Sequence, residues 1–208
     1  MYQIILASES PRRREIMETM GIPFIAMASN VPEVVTETEP AEMVQALANL
    51  KSENILLRLD NHQEEYKDVI IIGADTMVFY QEHALGKPRD EADAVRILGM
   101  LSDDNHEVYT GVSIIIKNNG RVIEKFSFAV CTEVTVQPLS KEQIEDYVAT
   151  SEPMDKAGAY AIQGKFGIYI KGITGDYYNV MGFPIAKIYE TILKHGIDIK
   201  NKSCINKN

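Results

Sequence analysis

This chain has no surplus of positive charge, only two cysteines and no long apolar run, and each shortage removes a class of function. Acidic residues outnumber basic ones 30 to 21 over 208 residues, for a formal net charge of −9. Such a balance offers no general attraction to nucleic acid or to an anionic membrane surface, so a phosphate-bearing ligand has to meet a local basic cluster. Cys131 falls inside an expected strand and Cys204 in a polar tail. They give neither a metal-ligand spacing nor a disulfide framework, which fits a reducing cytoplasm. The first residues lack a basic leader region, and no apolar run approaches the roughly 18 residues of a membrane span, so the expectation is a cytoplasmic protein neither exported nor anchored. Internal repeats, low-complexity blocks and clear linkers are also missing, and with 45% hydrophobic residues the economical expectation is one domain with a full core.

What is present begins at Leu6-Ala7-Ser8-Glu9-Ser10-Pro11-Arg12-Arg13. Ile4, Ile5 and Leu6 read as a buried strand; Ser10 is then placed as a helix N-cap and Pro11 at the first helical position, where its missing N–H costs nothing. The helix is expected to run to about Met20 and stop at Gly21. Its open N–H groups, with the guanidinium groups of Arg12 and Arg13, suit a phosphate chain, although a capped and solvated helix end explains the same residues.

A short strand is expected within 23–27, a loop over the acidic segment 30–39, and a second helix opening at Pro40. Met43, Val44, Leu47, Leu50 and Ile55 keep roughly helical spacing, which projects Lys51 toward a cleft or into solvent. Segment 58–67 reads as a surface connection. Val69-Ile70-Ile71-Ile72 is the strongest buried-strand signal, bounded by Gly73 and followed by Asp75. Asp90 caps a helix through Leu101; strands follow over 107–117 and 121–136, joined by the turn Asn118-Asn119-Gly120. Ser140 and Gln143 make a capping box. A strand near 168–171 and a helix over 184–194, ended by Gly196, complete residues 1–196. Residues 197–208, with Ile197, Ile199 and Ile205 widely spaced, read as a weakly ordered tail. The fold class is mixed α/β (α+β), a single domain with a long, partly antiparallel sheet flanked by helices around a cleft.

Chemistry can come from few places. Glu33 is either solvated or near a metal. Gly73-Ala74-Asp75-Thr76 sets a carboxylate and a hydroxyl after a buried strand, as general base or metal ligand on one reading and as a turn aspartate on the other. Gly86-Lys87-Pro88 holds a lysine in a constrained turn without being a P-loop, since the glycine-rich run and the following Ser or Thr are absent. Segment 152–164 combines small residues with Asp155, Lys156 and Gln163, and either admits a ligand's close approach or packs on itself. Polyphosphate hydrolysis unites these groups: Arg12, Arg13, Lys51, Lys87 and Lys156 for the substrate's charge, Glu33 and Asp75 for Mg²⁺ or Mn²⁺ and for water.

Across nearly its whole length the chain resembles the Maf nucleotide pyrophosphatases, related in architecture to inosine triphosphatases. The resemblance rests on LASESPRR at 6–13, GADT at 73–76, GKP at 86–88, HEVYTGV at 106–112, EPMDKAGAYAIQG at 152–164 and NVMGFP at 179–184. It implies metal-dependent hydrolysis of a nucleoside triphosphate between the α- and β-phosphates. Asp75 matches the family's acid–base position; Ser10, Arg13, Lys51, Lys87 and Lys156 match positions of the phosphate and catalytic cleft; Glu33 matches a carboxylate linked with metal or activity. Arg12, Thr76 and Gln163 stand at the positions that separate the branches and look like the branch acting on dTTP and UTP. The 7-methylguanosine triphosphate branch, and a nucleotide-sensing regulator of cell division, are the alternatives. A homodimer is a family-level expectation. The segment Asn30-Val31-Pro32-Glu33 departs from the paired acids common there, and Phe183 stands where Leu is usual.

Overall fold

The computed structural model describes residues 2–60 and 65–200. β1 (Gln3–Leu6) leads through a short turn into α1 (Pro11–Thr19), and β2 (Ile25–Ala26) follows. After an acidic segment without helix or strand comes α2 (Pro40–Asp60), then β3 (Val69–Tyr80), β4 (His83–Leu85), α3 (Glu91–Leu101), β5 (Asn105–Asn118) and β6 (Arg121–Val136). The chain closes with α4 (Lys141–Val148), three short 3-10 turns, β7 (Ile170–Thr174), α5 (Tyr177–Val180) and α6 (Ile185–Lys194). The sheet is mixed and runs β2-β1-β3-β5-β6-β7, with β4 paired to β3. β1 is parallel to β2 and β3, whereas β4 is antiparallel to β3 and β7 to β6.

Contacts along the chain group into two compact units, and β3, β5 and β6 contribute residues to both. The first is built from the described residues 2–60, 65–75, 110–129 and 182–200. Its core sets Ile5 and Ala7 with Val69, Ile71 and Ile115 against Ile55 and Leu59 of α2. The second holds residues 76–109 and 130–181. There Phe166 is fully buried, with the rings of Tyr147, Tyr160 and Tyr169 at centroid distances of 5.0, 5.1 and 5.4 Å.

Most local signals act as expected. Asp90 accepts from the Asp93 N–H at the head of α3, and both hydrogen bonds of the Ser140–Gln143 capping box form. Three expectations change. Segment 58–67 is not connection throughout, because α2 continues to Asp60; positions 61–64 lie outside the described residues. Ser10 occupies the N-cap of α1 without a side-chain cap bond, and its backbone N–H instead donates to Ser8 Oγ. Finally, β3 does not end at Gly73 but continues to Tyr80.

The glycine has a packing cause. A Cβ at Gly73 would lie 2.5 Å from the Ala48 carbonyl oxygen, and one at Gly111 would lie 2.1 Å from that of Val44. Both positions let the backbone of α2 lie flush on β3 and β5, and a buried Ser52–Ser113 hydroxyl pair at 2.7 Å joins the same surfaces. Past the expected boundary at Gly196, Ile199 is buried; positions 201–208, including Ile205 and Cys204, lie outside the described residues.

Candidate active site

Close contact between α2 and β3 decides the first group of side chains. Residues 73 and 75 share a face of β3 because strand side chains alternate, and residues 48 and 51 lie one turn apart on α2. Seating Ala48 on Gly73 therefore brings Lys51 to Asp75. Lys51 Nζ stands 2.5 Å from Asp75 Oδ1 and 2.8 Å from Glu33 Oε1, so one ammonium bridges two carboxylates. Lys51 and Asp75 keep only 13% and 12% of their side chains exposed, against 57% for Glu33.

Arg13 is buried beside them. Its Nε donates to the Gly182 carbonyl at 2.8 Å and its Nη1 to Ser8 Oγ at 3.1 Å. Burial lowers its pKa from the ordinary value; the fields of Asp75 and Glu33 oppose that shift and that of Arg12 adds to it. Within this unit the structure thus assembles Arg12, Arg13, Lys51, Glu33 and Asp75 at the end of β1 and along β3. Ser8 and Gly182 enter the site unforeseen. Ser8 had a readable signal, since it follows the buried strand directly; Gly182 had only its place in the NVMGFP motif.

Lys87, Lys156, Gln163 and Thr76 belong to the second unit. Lys87 is exposed on the loop after β4. That loop is fastened on both sides: the Gly158 N–H donates to the Gly86 carbonyl at 3.2 Å, and the Arg89 N–H to the Asp93 carboxylate at 3.2 Å. Hydrogen bonds from Arg89, and then from Arg96, hold the Asp93 carboxyl well below the usual carboxylate range. Lys156 Nζ donates to the Glu152 carbonyl at 2.9 Å and pairs with Asp155 at 2.5 Å. Gln163 is exposed in the turn between Tyr160 and the 3-10 turn Lys165–Tyr169. Because β3 runs on through Thr76, Asp75 and Thr76 project to opposite faces of the strand, which the expectation of a strand-end pair did not anticipate.

The family model described as Maf-like protein matches residues 3–195. The chain belongs to the Maf family. A dTTP/UTP pyrophosphatase of Lachnoclostridium phytofermentans is 46% identical over 199 residues, covering 96% of this chain and 98% of that protein. Another dTTP/UTP pyrophosphatase, of Agathobacter rectalis, is 42% identical over 205 residues, covering 96% and 100%. A third, of Alkaliphilus metalliredigens, is 45% identical over 196 residues, covering 94% and 97%. Among solved structures, the Ham1 protein of Staphylococcus aureus aligns with a TM-score of 0.44 and 16% identity over 93% of this Maf chain and 99% of its own.

Among the described residues no group of three or more His, Cys, Asp or Glu side chains could hold a metal ion, and no helix is long and apolar enough to cross a membrane. The donors at hand are two carboxylates sharing one ammonium. Hard oxygen donors in that number suit a magnesium-like ion that takes its remaining ligands from water and substrate phosphates, rather than an all-protein cage.

Proposed function

We propose that this Maf protein hydrolyses nucleoside triphosphates, dTTP and UTP foremost, to the monophosphate and pyrophosphate. The observation that carries the reading is the buried Asp75 carboxylate held by Lys51 beside Glu33 and Arg13, in a chain 42–46% identical to dTTP/UTP pyrophosphatases over nearly its full length. With Oδ1 fixed by Lys51, the other oxygen of Asp75 takes the proton of the attacking water. The water oxygen bonds to the α-phosphorus, the bond from that phosphorus to the bridging oxygen breaks, and pyrophosphate departs. Arg13 and Lys51 supply fixed positive charge beside Asp75, and Lys87 and Lys156 are assigned to phosphate binding by their motifs. Glu33 and Asp75 would hold Mg²⁺ or Mn²⁺, which when bound supplies charge neutralisation for the phosphate oxygens. Ser10 contacts phosphate, and Arg12, Thr76 and Gln163 set base choice; a Gln amide donates to a pyrimidine carbonyl and accepts from its N–H.

Pyrophosphate release from dTTP, UTP, CTP, GTP and 7-methylguanosine triphosphate, with Mg²⁺, Mn²⁺ or chelator, tests this reading. Turnover led by dTTP and UTP is expected. Asp75→Asn should lower kcat by about 10²- to 10⁴-fold, the usual worth of a positioned base, with the fold retained. A folded Asp75→Asn protein within a few-fold of the parent would remove Asp75 from the chemistry.

A further inference from the structure

The Glu152 carboxylate and the Tyr147 hydroxyl have no part in the chemistry given above, yet their hydrogen bonds converge on the turn that carries Gln163. The Tyr147 hydroxyl donates to Glu152 Oε1 at 2.9 Å and accepts from the Ala161 N–H at 3.3 Å. Glu152 Oε1 also accepts from the Lys165 N–H at 3.0 Å. The two amides so held are those two residues before and two residues after Gln163. Tyr147 is buried, and burial followed by the Glu152 bond raises its pKa, so the hydroxyl keeps the proton it donates. The fit is tight as well: a Cβ at Gly164 would meet Glu152 Oε1 at 2.2 Å, so the turn rests directly on the carboxylate. The same residue's carbonyl accepts from Lys156 Nζ.

We infer that Tyr147 and Glu152 are positioning residues for nucleobase selection, stapling the Gln163 turn at both ends so that the Gln163 amide is presented in one orientation. This rests on the assignment of Gln163 to base reading made above. An exposed amide on a loose turn can rotate or shift to suit several base edges, whereas one on a fixed backbone accepts only the matching donor–acceptor pattern. Loosening the staple therefore erodes discrimination among bases rather than bond cleavage.

The experiment compares kcat/KM for UTP and GTP in the full-length protein and in Tyr147→Phe, Glu152→Ala and Glu152→Gln. A merely structural role lowers the active fraction equally for both nucleotides and leaves their ratio unmoved. The staple predicts that the UTP-to-GTP ratio falls about tenfold or more in Tyr147→Phe and Glu152→Ala. Glu152→Gln retains an acceptor for Tyr147 and Lys165 and should stay within about twofold of the parent. An unchanged ratio in folded Tyr147→Phe and Glu152→Ala overturns the inference. Gln163→Glu is the control for the underlying assignment: if it leaves the ratio unmoved, Gln163 does not read the base, and selection through it falls too. Amide exchange at Ala161 and Lys165 then separates the two failures. Faster exchange in Tyr147→Phe keeps the staple and locates the error in the role of Gln163, whereas unchanged protection removes the staple itself.

Discussion

His106 gives the second unit a calculable sensitivity to acid. The ring is 2% exposed, its Nε2 lies 2.8 Å from the Tyr160 hydroxyl, and its Nδ1 has no hydrogen-bond partner among the described residues. An imidazolium must donate from both nitrogens, and here one would have no acceptor. Burial lowers the pKa from 6.5 to about 4, against a smaller upward pull from Asp104. Since the folded value lies below the unfolded one, protons favour the unfolded chain. The stability linked to His106 is fully present above the unfolded value and is lost as pH falls from there toward about 4. At about pH 5 the unfolded imidazole is almost fully protonated and the folded one about a tenth, and integrating that difference gives a loss of about 2 kcal/mol relative to about pH 7.5. Urea unfolding of the parent and of His106→Gln at those two pH values measures it, because the carboxylates contribute nearly equally to both proteins. The parent should lose about 2 kcal/mol more than the variant on acidification. Equal losses in the two would refute the argument that this imidazole is held neutral.

Lys51→Met should destabilise the fold by about 2 to 3 kcal/mol, since it strands a largely buried carboxylate, whereas Lys125→Met, which breaks the half-exposed pair with Glu53, should cost at most about 1 kcal/mol. Similar urea midpoints for the two variants would show that the bridge to Asp75 is no more than a surface ion pair. Gly73→Ala should cost about 1 to 3 kcal/mol because α2 must back away from β3, while Gly99→Ala, in the interior of α3 with nothing within 4 Å of the added carbon, should stabilise by about 0.5 to 1 kcal/mol. Melting temperatures that move in the same direction for both would sink the packing account of Gly73.

Signals whose cause lies within a few residues were legible from the chain alone. The Asp90 cap, the Ser140–Gln143 box and the Asn119–Gly120 turn, with φ of 49° and 76°, each depend on neighbours that the sequence displays together. β4 escaped because its turn passes through Gln81 and Glu82 at positive φ, residues that carry no turn signature and adopt that region at a cost. The Asp75 group was legible as residues but not as an arrangement. Gly73 reads locally as the end of a strand, and only the Ala48 carbonyl, 25 positions earlier, turns it into the contact that lets α2 reach β3.

The same distance in sequence hid the partners of Arg13. Next to Ser10 and Pro11 it reads as a helix-end cation free to meet phosphate, yet its Nε is committed to a carbonyl 169 residues away and its Nη1 to Ser8. The guanidinium is thereby fixed before any anion arrives, with its charge set in the field of Asp75 and Glu33. A cation held in this way loses little conformational freedom on binding phosphate, whereas a solvated arginine at a helix end would have to be ordered first. The buried contacts that removed Arg13 from the surface are thus what suit it to the phosphate role that its exposed-looking sequence position suggested for a different reason.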